Sequence, residues 1–566
     1  MWQHCMGNFS LFRWSSFFAF ALLLLACQRT SMALLSTAAP STIPVPVTVT
    51  QSALRSPSAC TDHFVAHTLP FATGVRIRTI NTYESNGAGV AVNDLDGDGD
   101  LDLVFASIDN NSEILWNKGN LKFIEEPLAD RFTRAVSIVD VDADGALDIV
   151  FTHRTRESLS YWRNQGANST AQHFTRTPLP GVIAYANSMA WADLNGDGAL
   201  DLVTGSYNID LIEKDGDDPA ADANAGVFYY ERQGAAFVPQ RLTGEAQALS
   251  VALVDVDGDG QLDIWVANDF LLPDALWLRK AQGWQLATPF AQTTYSTMSM
   301  DWGDLANDGN RELFATDMSP YDISPRTLAG WLPVMNKLEE RHDPNDPQRM
   351  DNVLQVRTAN GAWQNQASRR GVEATGWSWA SRFGDLDNDG FLDLYVVNGM
   401  IAQNLFAHLP NGELVEENQA FRNQGDGTFA PAPTWQLGAT ASGRGMVMAD
   451  LDNDGDLDIV VNNLRASAQL FENQLCGGDG LEVALQMPNT RNRNAIGAQL
   501  VLQTNRGRYQ RDVRASGGYL SGDPARVHFG FPTRTMLQTL EIHWPDGAIS
   551  QVEPLLTQTL VVVTRN

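Results

Sequence analysis

The sequence predicts an all-β chain: a seven-bladed β-propeller with calcium loops, followed by a small all-β domain. Three observations lead there. A nine-residue pattern, D-x-D-x-D-G-x-x-D, recurs seven times. Short apolar, strand-like runs flank the copies, such as 88–92 before the first and 101–105 after it. The copies begin 46, 53, 62, 49, 81 and 65 residues apart, a blade-sized period plus insertions.

The pattern has the chemistry of calcium chelation, because a hard divalent cation takes about 6–8 oxygen ligands. Carboxylates at positions 1, 3 and 5 converge, glycine at position 6 allows the turn, position 7 offers its carbonyl and position 9 closes the shell. The candidate ligands are Asp94, Asp96, Asp98, Asp100 and Asp102 in the first loop, and Asp140, Asp142, Asp144, Ala146 and Asp148 in the second. The third has Asp193, Asn195, Asp197, Ala199 and Asp201; the fourth has Asp255, Asp257, Asp259, Gln261 and Asp263. The fifth offers Asp304, Asp308, Asn310 and Glu312, the sixth Asp385, Asp387, Asp389, Phe391 and Asp393, and the seventh Asp450, Asp452, Asp454, Asp456 and Asp458. Position 7 varies freely in side chain, as a backbone ligand permits. An EF-hand is excluded, since it needs Glu at position 12, where the first two copies have Phe105 and Phe151. Up to seven Ca2+ sites are expected. The fifth, with Ala306 at position 3 and Arg311 in place of Leu, is the one expected to be weak or empty.

Each repeat continues into a third strand ending in an aromatic and a Gly-containing turn, as in 114–119, 160–166, 227–234 and 421–427. A fourth strand begins at Phe123, Phe174, Phe237 and Phe429. Four-stranded meanders of this kind stack radially, which limits exposed edges. The seventh repeat lacks its fourth strand, whereas residues 62–70, DHFVAHTLP, match the second repeat's fourth strand at 172–180. The N-terminal strand therefore closes the ring and brings Cys60 beside Cys476, a candidate disulfide. His63 and His67 lie on that strand and read as structural. The acidic loops mark one face; the long insertions 208–225, 319–350 and 400–419 lie on the other, with a short helix expected over 325–340 around Trp331.

The net charge of -28, from 39 Lys and Arg against 67 Asp and Glu, excludes nucleic acid as a partner. Positions 1, 3, 5 and 9 of the loops supply 26 of those acids. Residues 1–26 read as a signal peptide, with Arg13 ahead of the apolar run 17–26, too short to span a bilayer. The sequence LLAC at 24–27 resembles the lipobox of bacterial lipoproteins, making Cys27 the lipidation site. The expected location is the cell envelope or surface, lipid-anchored, or secreted if the lipobox is not used. Residues 27–59 are expected to be a flexible tether, 60–476 the propeller and 477–566 a small β domain with strands near 481–485, 500–502, 539–544 and 560–563.

The acidic loops, with FRNQGDGTF at 421–429, resemble the FG-GAP or VCBS repeats of integrin-type propellers. NAIGA at 494–498, SGGY at 516–519, VHFG at 527–530 and WPDG at 544–547 look like the ASPIC/UnbV domain that follows such a propeller in the cartilage acidic protein family. The resemblance implies an extracellular calcium-binding protein that recognises a protein or glycan through the face opposite the metal loops. The competing reading is a polysaccharide-active, lyase-like enzyme on a calcium propeller. Against it, G-x-S-x-G, H-E-x-x-H and C-x-x-C are absent, and in the insertions only the adjacent Arg341 and His342 hint at an acid–base pair. His528, Trp544 and Asp546 read as structural. An envelope scaffold for partner lipoproteins is a third possibility.

Overall fold

The computed structural model describes residues 44–57, 59–154, 156–166, 173–215, 222–270, 272–339 and 346–566. The signal segment, Cys27, residues 27–43 of the expected tether, Arg341 and His342 lie outside the described residues.

Seven four-stranded antiparallel sheets follow one another along the chain. In the first, Val90–Asn93 pairs with Asp102–Phe105, then Ser112–Asn117, then Phe123–Leu128. The later sheets start at Thr133–Val139, Ser188–Ala192, Ala248–Val254, Met300–Gly303, Ala380–Gly384 and Gly443–Ala449. These first strands are almost wholly buried, and each lies against the first strands of the sheets before and after it, the last against the first. The sheets are thus the blades of a β-propeller.

The ring closes through strand β2 (Phe64–Ala72), which pairs antiparallel with Ser467–Asn473, Phe64 opposite Asn473. A disulfide joins Cys60 to Cys476, with Cα atoms 5.6 Å apart. His67 accordingly serves the strand, its Nε2 lying 2.7 Å from Glu472 Oε2.

The seams between blades carry a second stitch. Asn117 Nδ2 donates to the carbonyl of Leu451 in the preceding blade at 2.7 Å, and Asn164, Asn423 and Asn473 do the same to Leu95, Leu305 and Leu386. Arg232 and Arg357 supply the equivalent bond to Val141 and Val256. Each satisfies a buried carbonyl that would otherwise be costly.

The insertions sit between second and third strands, as the meander requires. They contain helix α1 (Asn208–Asp215), helix α2 (Pro325–Glu339) and a short ladder of Met400–Ile401 with Glu413–Leu414. Trp331 anchors α2: it is buried, packs at a tilt with its ring 5.6 Å from that of Trp377 and donates Nε1 to Glu416.

The C-terminal region forms two four-stranded sheets around one core that includes Leu481, Leu500, Phe529, Ile542 and Val561. One sheet corrects the sequence reading. Strand β1 (Val47–Ala53), placed within the expected tether, pairs antiparallel with Thr559–Arg565. Val47 and Val49 alternate with Thr48 and Thr50, and the two valines pack against the C-terminal core.

Candidate metal centre

The seven acidic loops share one hydrogen-bond plan. The position 6 glycine N–H donates to the position 1 carboxylate, as from Gly99 to Asp94 at 3.0 Å and from Gly455 to Asp450 at 2.8 Å. The position 7 N–H donates to position 5, as from Asp100 to Asp98 and from Phe391 to Asp389. These bonds wrap the backbone around the carboxylates.

The ninth residue is a clasp. Asp102 is fully buried; its Oδ2 accepts from Leu95 N–H and its Oδ1 from Asn117 N–H on the third strand. Asp148, Asp201, Asp263, Asp393 and Asp458 repeat both bonds. Burial pushes the Asp102, Asp148 and Asp201 carboxyls up to about 7 despite these donors.

Five loops bring three carboxylates together with one oxygen from each within 4.8 Å of the others: Asp94, Asp96 and Asp102; Asp140, Asp142 and Asp148; Asp255, Asp257 and Asp259; Asp385, Asp387 and Asp393; Asp450, Asp452 and Asp458. Among the described residues loops three and five form no such triad. Asn195 takes one place in loop three and Ala306 one in loop five. The donor set is all oxygen, and Asp387 Oδ1, Asp452 Oδ1 and Asp456 Oδ2 are buried without a hydrogen-bond partner. Orphaned buried carboxylate oxygens of this kind suit a hard cation.

A cation on the third strand or just after it already bridges positions 3 and 5 in four loops. Lys118 lies 2.8 Å from Asp96 and 3.4 Å from Asp98; Arg163 pairs with Asp142 and Asp144, Lys280 with Asp257 and Asp259, and Arg422 with Asp387 and Asp389. In blades three and seven the residue aligned with Arg163 and Arg422 is Glu231 and Glu472.

Sequence reasoning missed what covers these loops. The C-terminal domain sits on their face, holding loop backbones with arginines: Arg493 on the carbonyl of Ala143, Arg526 on that of Gly99 and on Asn453 Oδ1. Loop five departs from the repeat to serve this contact. Arg311 makes a two-point ion pair with Asp512, at 2.6 and 2.9 Å. Between the two domains lies a polar cavity of about 110 Å³ lined by Arg382, Asp385, Asp450, Glu482, Arg511 and His528, among others.

From that domain residues 514–523 run into the propeller axis. Val136 N–H donates to Leu520 O, Gly522 N–H to Val90 O, Gly518 N–H to Met300 O and Met446 N–H to Ser521 Oγ. Tyr519 is fully buried against Trp379 and donates its hydroxyl to Asn86 O at 2.8 Å. Asp523 pairs with buried Arg382. Gly89 faces the segment because a Cβ there would collide with the carbonyl oxygen of Leu520. The only sequence signal was the small-residue run at 516–518, already part of the ASPIC/UnbV resemblance.

An FG-GAP-like repeat model matches residues 94–151, 140–204, 255–315 and 408–461, and an ASPIC and UnbV model matches 488–566. The chain is an FG-GAP-repeat protein with a C-terminal ASPIC/UnbV domain. It is similar to cartilage acidic protein 1 of Mus musculus, 31% identical over 176 residues that cover 29% of this chain and 25% of that protein. It is equally similar to cartilage acidic protein 1 of Homo sapiens, with 24% of that protein covered. The match thus spans about a quarter of these relatives. Similar solved structures include BBS1N in complex with ARL6DN, at TM-score 0.39 and 13% identity over 71% of this chain and 98% of that one. Another is Bacillus licheniformis Rhamnogalacturonan Lyase PL11, at TM-score 0.34 and 12% identity over 73% and 76%.

Proposed function

We propose that this protein is a calcium-binding, extracytoplasmic recognition or adhesion module whose protein or glycan ligand docks on the face opposite the metal loops. One observation carries the reading. The C-terminal domain covers the metal-loop face and residues 514–523 fill the axis, which leaves the insertion-bearing face as the elaborated free surface. That face exposes Ile323, Leu332 and Val415, at 85%, 50% and 58%, and exposed apolar side chains on loops over a rigid scaffold are a usual basis for partner binding.

Calcium is the cation this reading assigns, up to seven ions, with loop five the weakest because Ala306 offers no side-chain oxygen. When bound, the ion supplies positive charge to carboxylates that are otherwise held together against their repulsion. The Cys60–Cys476 disulfide agrees with an oxidising compartment, and among the described residues no helix is long and apolar enough to cross a membrane. Attachment through a lipidated Cys27 belongs to the same proposal.

The test is an array of extracellular polysaccharides and envelope proteins probed with the soluble chain in calcium, alongside an Ile323→Ser, Leu332→Ser, Val415→Ser variant of unchanged melting temperature. Binding by the wild type that the variant loses is the expected result. Shortening of any polysaccharide, or binding that survives the triple change, would overturn it.

A further inference from the structure

The seven loops are not equally reachable. In loop four Gly258, Asp259, Gly260 and Gln261 are exposed, and in loop one Asp96, Gly97 and Asp98 are. Loop seven is the opposite extreme: every residue from 450 to 458 except Asn453 is buried, including all five of its aspartates.

Its lid is built from three parts of the chain. The C-terminal domain lays Gly480 against the Gly455 carbonyl, so closely that a Cβ would collide with it. Its His528 Nε2 meets the same oxygen at 3.0 Å, and Gln558 Nε2 donates to Asp454 O at 3.1 Å. The segment after β1 adds Arg55, whose Nη1 donates to Asp452 O at 3.0 Å. Loop six adds Asn388, donating to Asp456 Oδ1 at 2.6 Å.

The acids inside that enclosure outnumber the cations at its edge, Arg55 and Arg526. No third-strand lysine or arginine bridges Asp452 and Asp454; Glu472 stands at that strand position, and Glu482 is buried nearby. Asp452 Oδ1, Asp456 Oδ2 and Glu482 Oε1 have no hydrogen-bond partner. Five buried carboxylates, two of them with an orphaned oxygen, need a multivalent cation more than the open loops do, and a lid of this kind blocks its exchange.

We infer that loop seven holds a calcium ion enclosed by the C-terminal domain, Arg55 and Asn388, so that it enters before they close and leaves only when they open. This rests on the calcium reading above. The ions of the open loops exchange with solvent; this one follows local unfolding of its lid.

The experiment loads the purified chain with calcium, adds excess chelator, desalts, and counts retained calcium by mass spectrometry, with radioactive calcium reporting exchange. The expected result is loss of most of the bound calcium in a fast phase and retention of one ion per chain until urea unfolds the protein. An Arg55→Ala, Gln558→Ala variant should release that ion faster, whereas Asp257→Asn with Asp259→Asn should diminish only the fast phase. Complete release from the wild type in one fast phase would overturn the enclosure and leave the calcium reading standing. Calcium that never binds would overturn the reading itself, and the enclosure with it. The wild-type measurement decides even if a variant fails to fold.

Discussion

A buried carboxylate that accepts two N–H groups recurs throughout this molecule, and its ionisation is set by which of burial and hydrogen bonding wins. Glu416 shows the balance away from any acidic loop. It is almost fully buried and accepts from Trp377 N–H at 2.7 Å and Trp331 Nε1 at 3.0 Å. Burial outweighs these donors and raises its carboxyl to about 7 from an ordinary 4.5. A raised acid binds more protons folded than unfolded, so its stabilising contribution is complete below about pH 4.5 and is lost as pH rises through about 7. The loss is on the order of 3 kcal/mol. Because Glu416 is what Trp331 holds, the change should fall on α2. The protection factors of the Pro325–Glu339 amides, taken relative to the intrinsic exchange rate at each pH, should fall between pH 5 and 8, and Glu416→Gln should flatten that dependence. An unchanged slope in the variant would assign the pH response elsewhere.

At the scale of elements, β1 is the strand whose removal is most informative. It supplies an edge to the C-terminal sheet along its full length, from Val47 opposite Arg565 to Ala53 opposite Thr559. Deleting residues 44–53 should expose that edge and the apolar surface under Val47 and Val49, at a cost of about 3 kcal/mol. Faster exchange at 559–565 with unchanged amides in β2 would be the signature; equal stability would show that the strand only decorates the domain. This element also marks where sequence stops being legible. The blades could be read because Asp-Gly loops and aromatic third strands repeat in register, and β2 because 62–70 copies 172–180. The strand β1 is different: only its first half alternates, its pattern has no second copy, and a partner some 500 residues away leaves no local trace. The cover over the acidic loops was equally hidden, since Arg493, Arg526 and Arg55 bind backbone carbonyls, and any sequence presents those. Arg311 was visible as a departure from the repeat, but its purpose, Asp512, became apparent only with the domain in place.

The whole molecule is closed by one short stretch of chain acting on both domains. Within about 25 residues, β1 completes the C-terminal sheet, Arg55 bonds loop seven, Cys60 reaches Cys476 and β2 completes the last blade. The disulfide spans 416 residues, and a cross-link over so long a loop acts mainly by restricting the unfolded chain. Replacing both cysteines by serine should therefore lower stability by about 4 kcal/mol while leaving the ladder of β2 with Ser467–Asn473 intact. Because residues 514–523 bind first strands of several blades, the ring cannot open while the C-terminal domain stays docked. The propeller and the C-terminal domain should then unfold in a single transition, and the serine variant should move that transition to lower urea without splitting it. A second transition appearing in the variant would mean that the disulfide, and not the axial segment, couples the two domains.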